Sequence, residues 1–310
     1  MTKIRRNQSQ GFEFLAAEND HISVTVVPEL GARVTSLRDL HNGREWLWHR
    51  PGPFQLWRNQ VGDSFEKGTF AGADECLPTI AACNWQGRTL PDHGEAWTLA
   101  WTLDETLLVH GKIRTSVTLP FSPFRLIRTL ELRDETLRMD YQLENLGAEP
   151  EFWLWSWHPL FALEPGDRLE LSPEVVELGI ECASPGKVVR GDRWKWPEAW
   201  PGIWLDEFSL GDGDAFLKAF AGPFRNPRAR ILNPKTGASL EVIWDANSLP
   251  FLGLWITRGG YQGWHHVALE PTNLPADSLA DAARETCAFP LAPGASISWW
   301  LEIQIHACLP

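Results

Sequence analysis

Leu137, Met139, Tyr141 and Leu143 alternate with Arg138, Asp140, Gln142 and Glu144. Successive side chains of an extended chain point to opposite faces, so this stretch predicts a strand in a sheet with one wet face. Ile297, Trp299, Leu301, Ile303 and Ile305 repeat the pattern near the end of the chain, and Leu169-Glu170-Leu171 gives a shorter copy. Strands are also expected at 22–27 and 32–37, joined by the turn Pro28-Glu29-Leu30-Gly31, and at 45–48 after an Asn42-Gly43 turn. Further strands are expected at 112–119, 124–132, 137–145, 239–245, 251–257 and 265–271. One short helix is expected at 278–282, capped by Asp277. The chain shows no phosphate-binding glycine motif, internal repeat or linker-like shift in composition, which predicts one all-β domain over 1–310.

Two segments interrupt the alternation. Between 68 and 101 the chain turns to glycine, proline and polar residues, including Gly72-Ala73-Asp74-Glu75-Cys76-Leu77-Pro78-Thr79 and Leu90-Pro91-Asp92-His93-Gly94-Glu95-Ala96-Trp97. Loops of that length in a compact domain are usually functional, although a surface turn is the plainer reading of Asp-His-Gly alone. The run 193–204 holds Trp194, Trp196, Trp200 and Trp204 with Pro197 and Pro201, and can be neither a central strand nor a helix. It is expected either to wall or lid a binding site or to plug one end of the fold.

Two acid–base residues precede prolines. Alternation through 153–158 sets Trp153, Trp155 and Trp157 against Leu154, Ser156 and His158, and Pro159 places His158 where regular pairing ends. In His265-His266-Val267-Ala268-Leu269-Glu270-Pro271, Glu270 leaves on the side away from Val267 and Leu269. The competing reading of His158 is a core imidazole bonded to a backbone carbonyl.

Composition narrows the function. With 310 residues, 44% hydrophobic and 22% charged, the chain has apolar material for a large core. Its 28 Lys and Arg against 40 Asp and Glu leave a formal charge of -12, which argues against nucleic acid and anionic membrane surfaces as partners. Lys3, Arg5 and Arg6 are followed by Asn7-Gln8-Ser9-Gln10 rather than the apolar stretch of a signal peptide, so a cytoplasmic protein is expected. The longest uncharged apolar run, 152–163, falls short of the roughly 20 residues that span a bilayer. Cys76, Cys83, Cys182, Cys287 and Cys308 are odd in number and lack a C-x-x-C pair; buried thiols are expected, neither a disulfide framework nor a zinc site. The 18 tryptophans suit both a core and the stacking of sugar rings.

His93-Gly94, Trp157-His158-Pro159-Leu160-Phe161 with Gly166-Asp167, and Leu269-Glu270-Pro271 resemble, in type, order and spacing, the aldose 1-epimerase (galactose mutarotase) family. Pro28-Glu29-Leu30-Gly31-Ala32, Leu143-Glu144-Asn145-Leu146-Gly147 and Leu291-Ala292-Pro293-Gly294 extend the resemblance over nearly the whole chain. It implies a large antiparallel β-sandwich, the galactose mutarotase-like supersandwich, binding a monosaccharide on its concave face without metal or organic cofactor. It further implies Glu270 as general base at the anomeric hydroxyl, His158 as general acid at the ring oxygen, and His93 as a hydrogen-bonding partner of the sugar. Such chemistry needs one group to accept a proton while another donates, and reference pKa values of about 6.5 and 4.3 put His and Glu within reach.

The sequence departs from sugar-phosphate mutarotases at Gly72-Ala73-Asp74-Glu75 and His93-Gly94-Glu95-Ala96-Trp97, where acidic and aromatic residues stand in place of basic ones. Asp74, Glu75 and Lys218 are therefore expected substrate contacts, and a phosphorylated sugar is disfavoured. The alternatives are a non-catalytic carbohydrate-binding or regulatory protein on the same fold, a hexose-phosphate mutarotase, and a glycoside hydrolase or lyase, which would require a second carboxylate beside Glu270.

Overall fold

The computed structural model describes residues 2–184, 188–200, 203–208, 214–285 and 288–306. The alternation at 137–143 becomes the strand Thr136–Asn145, in which Leu137, Met139, Tyr141 and Leu143 are buried. It pairs on one side with Phe124–Arg133 and on the other with Ser296–His306. Among the described residues these belong to an eight-stranded antiparallel sheet in the order Arg168–Leu171, Arg228–Leu232, Ser239–Trp244, Ser296–His306, Thr136–Asn145, Phe124–Arg133, Lys112–Thr118 and Thr102–Leu103.

An eleven-stranded sheet faces it. Its order is Lys3–Ser9, Phe12–Glu18, Ile22–Val27, Arg33–Asp39, Ala73–Cys76, Ser156–Pro159, His265–Thr272, Phe251–Arg258, Ala215–Ala221, Glu177–Ser184 and Arg193–Lys195. Leu15, Val24 and Val26 of this sheet share one continuous apolar core with Leu126, Leu130, Met139 and Leu301 of the other. The molecule is thus the expected all-β sandwich, held by side chains from two inner faces.

An ion pair crosses that core. Arg128 of the smaller sheet donates through Nη1 to Oε1 of Glu75 at 2.8 Å, and both residues are fully buried. Tyr141 Oη donates to the same oxygen at 3.0 Å and Trp155 Nε1 to Oε2 at 2.9 Å, so the carboxylate is satisfied from both sheets.

Three expectations are corrected. The run 45–48 forms only the isolated bridges of Glu45 with Arg38 and Leu47 with Phe161, because Glu45 Oε1 takes the backbone N–H groups of Leu37 and Leu47 that a ladder would use. The stretch 68–101 contains Ala73–Cys76, a wholly buried strand in the middle of the larger sheet. The helix runs Leu279–Glu285, and Ser278 Oγ, rather than Asp277, accepts a backbone N–H, from Asp281. Among the described residues no helix is long and apolar enough to cross a membrane.

Candidate active site

The two pre-proline residues meet where a ladder opens. Phe161 and Val267 exchange backbone hydrogen bonds of 2.7 and 3.3 Å between neighbouring strands of the larger sheet. In an antiparallel pair the donors facing one neighbour recur every second residue, so the next ones fall at 159 and 269, then at 157 and 271. Pro159 and Pro271 occupy one position of each pair and have no N–H to give. Pairing is registered again at Ser156 with Thr272. Counting inward from either end brings His158 opposite Glu270, at a position where cross-strand side chains approach most closely.

Their side chains do approach. His158 Nε2 lies 3.9 Å from Glu270 Oε1. Glu270 is fully buried; its Oε2 accepts a hydrogen bond from Lys218 Nζ at 2.5 Å, and its Oε1 has no protein partner. Gly253 stands across from Glu270 on the next strand, where an added Cβ would lie 3.2 Å from Oε2, so the glycine leaves the carboxylate its room. Burial raises the Glu270 pKa above the usual carboxylate value, and the Lys218 charge pulls against that rise. Burial likewise pushes His158 well below the ordinary imidazole value, helped by His93 and Lys218 nearby.

Lys218, only 5% exposed, also stands 3.4 Å from Asp277 Oδ1. Burial works against its charge, but Asp277 and Glu270 together hold its pKa above normal. His93 sits at φ 57°, and Gly94 at φ 71° passes so close to Leu77 that a Cβ would fall 2.1 Å from its carbonyl oxygen. The turn brings the His93 ring onto Phe65, 3.9 Å centroid to centroid, and edge-on to His158 at 4.9 Å. His93 Nδ1 is held by Asp92 Oδ1 at 2.9 Å.

His93, His158, Lys218 and Glu270 line one cavity of about 400 Å³, a volume in the range of small-molecule sites. Its aromatic wall is Phe65, Phe70, Trp255 and Tyr261, and Glu66, Asp92 and Asp277 add carboxylates. None of these seven was anticipated as a site residue. Asp277 carried a signal, an acid next to a helix start, but that pointed to capping.

Two expected contacts are displaced. Glu75 points to the opposite face of its strand, into the ion pair with Arg128, and cannot reach the cavity. Asp74 pairs across from His158, yet its carboxylate turns to Arg33 at 2.8 Å, is 1% exposed and does not line the cavity. Burial, only partly offset by Arg33, raises its pKa to about 6. Cys182 is exposed and lines the cavity rather than being a buried thiol, whereas Cys287 and Cys308 lie outside the described residues. Among the described side chains of the tryptophan run, Trp194 and Trp196 pack against the main core, and neither they nor Trp204 line the cavity. The Trp200 side chain and Pro201 and Gly202 lie outside the described residues.

Comparison with known proteins agrees with this architecture. A protein of Synechocystis sp. PCC 6803 shares the fold with a TM-score of 0.72 at 19% identity, covering 97% of this chain and 99% of that one. A galactose mutarotase related enzyme from Lactobacillus acidophilus gives 0.69 at 17% identity, covering 95% and 98%. A galactose mutarotase-like protein from Lactobacillus casei gives 0.67 at 18% identity, covering 94% and 100%. No curated protein matches the chain. The aldose 1-epimerase family model matches residues 14–304, nearly the whole length, and the chain belongs to that family.

Proposed function

We propose that this protein is a mutarotase that interconverts the α and β anomers of an unphosphorylated monosaccharide, with Glu270 as general base and His158 as general acid. The observation that carries the reading is the partnerless Glu270 Oε1, 3.9 Å from His158 Nε2, in the cavity. The anomeric hydroxyl and the ring oxygen of a hemiacetal share one carbon, so two groups this close can address both at once. Glu270 Oε1 takes the O1 proton, the C1–O1 double bond forms, and the C1–O5 bond breaks as protonated His158 gives its Nε2 proton to O5. Rotation about C1–C2 and the reverse transfers deliver the other anomer. Desolvation makes Glu270 a stronger base than a surface carboxylate. His93, with Nδ1 tied to Asp92, keeps Nε2 for a sugar hydroxyl.

The cavity's charges favour a free sugar. Glu66, Asp92, Glu270 and Asp277 line it, and Lys218, the one lysine lining it among the described residues, is already shared by the last two, which disfavours a phosphate. Phe65, Phe70, Trp255 and Tyr261 offer ring faces to the sugar's C–H surface.

One observation favours a second reading. The 2.5 Å contact from Lys218 weakens Glu270 as a base, which suits a site that binds sugar without turning it over. Saturation-transfer NMR on anomeric protons, run across free and phosphorylated aldoses, separates the two. The mutarotase accelerates exchange of at least one free aldose, and Glu270→Gln loses roughly 10²–10⁴ of that rate while still binding. A wild type that binds a free aldose without accelerating its exchange is the binding protein.

A further inference from the structure

A second cluster of ligating groups lies outside the cavity, where turns of both sheets meet. His21 sits just before the strand Ile22–Val27 and His41 just after Arg33–Asp39, both in the larger sheet. Glu135 joins Phe124–Arg133 to Thr136–Asn145, and His306 ends Ser296–His306, all in the smaller sheet. His21 Nδ1 is 3.1 Å from His41 Nε2 and 3.8 Å from Glu135 Oε1. One ligand atom from each of these three residues lies within 4.8 Å of the others, and His306 Nδ1 stands 3.8 Å from the second oxygen of Glu135.

The backbone holds these groups in place independently of any ligand. Leu40 N–H donates to the His21 carbonyl at 2.8 Å, fixing the two histidine turns to one another. Asn19 Nδ2 donates to the Asp134 carbonyl at 2.8 Å, and Ile305 N–H to the Glu135 carbonyl at 2.9 Å, tying those turns to the smaller sheet.

We infer that His21, His41 and Glu135 bind a divalent transition ion of the zinc class, which clips the two sheets together. Two imidazole nitrogens and a carboxylate oxygen form a donor set that suits zinc, copper or nickel and not the oxygen-seeking calcium or magnesium. Nitrogens bound at about 2.0–2.1 Å in a tetrahedral site stand roughly 3.3 Å apart, close to the spacing of this pair. Glu135 lies 3.8 Å from His21 and within 4.8 Å of His41, and its side chain, 41% exposed, has room to close a remaining distance of at most about 1.5 Å. His306 faces its other oxygen, and the fourth position is left to water. None of the four residues lines the sugar cavity, so the ion has no part in the proposed proton transfers.

The test is a titration of the chelator-treated full chain with Zn²⁺ by calorimetry and with Co²⁺ by absorption, alongside thermal melts. One equivalent should bind, and excess ion should raise Tm by a few degrees. His21→Ala and Glu135→Gln should each weaken binding at least tenfold, with anomer exchange unchanged. His41→Gln, at an exposed position, serves as the control for folding and should weaken binding equally. Absence of saturable binding would mean that the 3.1 Å contact is a hydrogen bond between imidazoles, and affinity untouched by all three substitutions would place the ion elsewhere; either result overturns the inference.

Discussion

Lys218 and Glu270 divide one carboxylate into two unequal oxygens: Oε2 is held by the ammonium at 2.5 Å, and Oε1 faces His158 with no protein partner. In the proposed mechanism the lysine thereby leaves Oε1 as the working oxygen and moderates how basic it is. Lys218→Met removes the larger of the two charges that lower the Glu270 pKa, leaving only His93 to oppose burial, so the pKa climbs further. The acidic limb of the kcat/KM profile should move to higher pH, measured as anomer exchange against pH. A limb that stays in place would show that the limb does not report Glu270.

The pH profile carries the two shifts. In the proposed mechanism the free enzyme works with Glu270 ionised and His158 protonated, so the limbs of kcat/KM fall at the two pKa values. Burial raises the first and lowers the second, so the limbs should leave the positions, about 4.3 and 6.5, that a surface Glu and His would give. Limbs found at those ordinary values, measured as anomer exchange against pH, would remove the buried pair from the acid and base roles.

Glu75→Ala leaves the Arg128 guanidinium buried without its counter-charge. Breaking a buried pair in this way costs about 3–5 kcal/mol, read as a lowered urea midpoint. KM for the sugar should hold steady, since the lost carboxylate lies on the core side of its strand. A raised KM with unchanged stability would return Glu75 to the role of a substrate contact.

Trp255→Ala and Trp194→Ala should divide stability from binding. Trp255 lines the cavity, and its loss should raise KM about 2- to 10-fold, in keeping with one aromatic contact of about 0.5–1.5 kcal/mol. Trp194 packs against the core, and its loss should cost about 1–3 kcal/mol of stability with KM unchanged. Paired thermal melts and exchange kinetics read both.

Legibility in the sequence followed how local the signal was. Leu137 to Leu143 and Ile297 to Ile305 alternate because one face of each strand is core and the other is wet, and that asymmetry is written residue by residue. His158 and Glu270 stood out because each precedes a proline, itself a local feature. Ala73-Asp74-Glu75-Cys76 reads as a polar loop, yet all four are buried, since Arg33 and Arg128 from other strands neutralise the two acids. The partners are 41 and 53 residues away in sequence, and no window of the chain contains them. Phe65, Phe70, Trp255 and Tyr261 likewise reach one wall from separate segments with no common spacing. Asp277 misled because its neighbour Ser278 takes the cap, freeing the acid to turn to Lys218.

The prolines at 159 and 271 place the pair within the sheet itself. Each sits immediately after the residue it serves, so His-Pro on one strand and Glu-Pro on its neighbour carry both the side chain and the interruption of the ladder beside it. Lys218 and Gly253, which hold and make room for the Glu270 carboxylate, also stand on strands of that sheet. The spacing of the pair is therefore set by strand register, and the length of a connecting loop can change without moving one of these four residues against another.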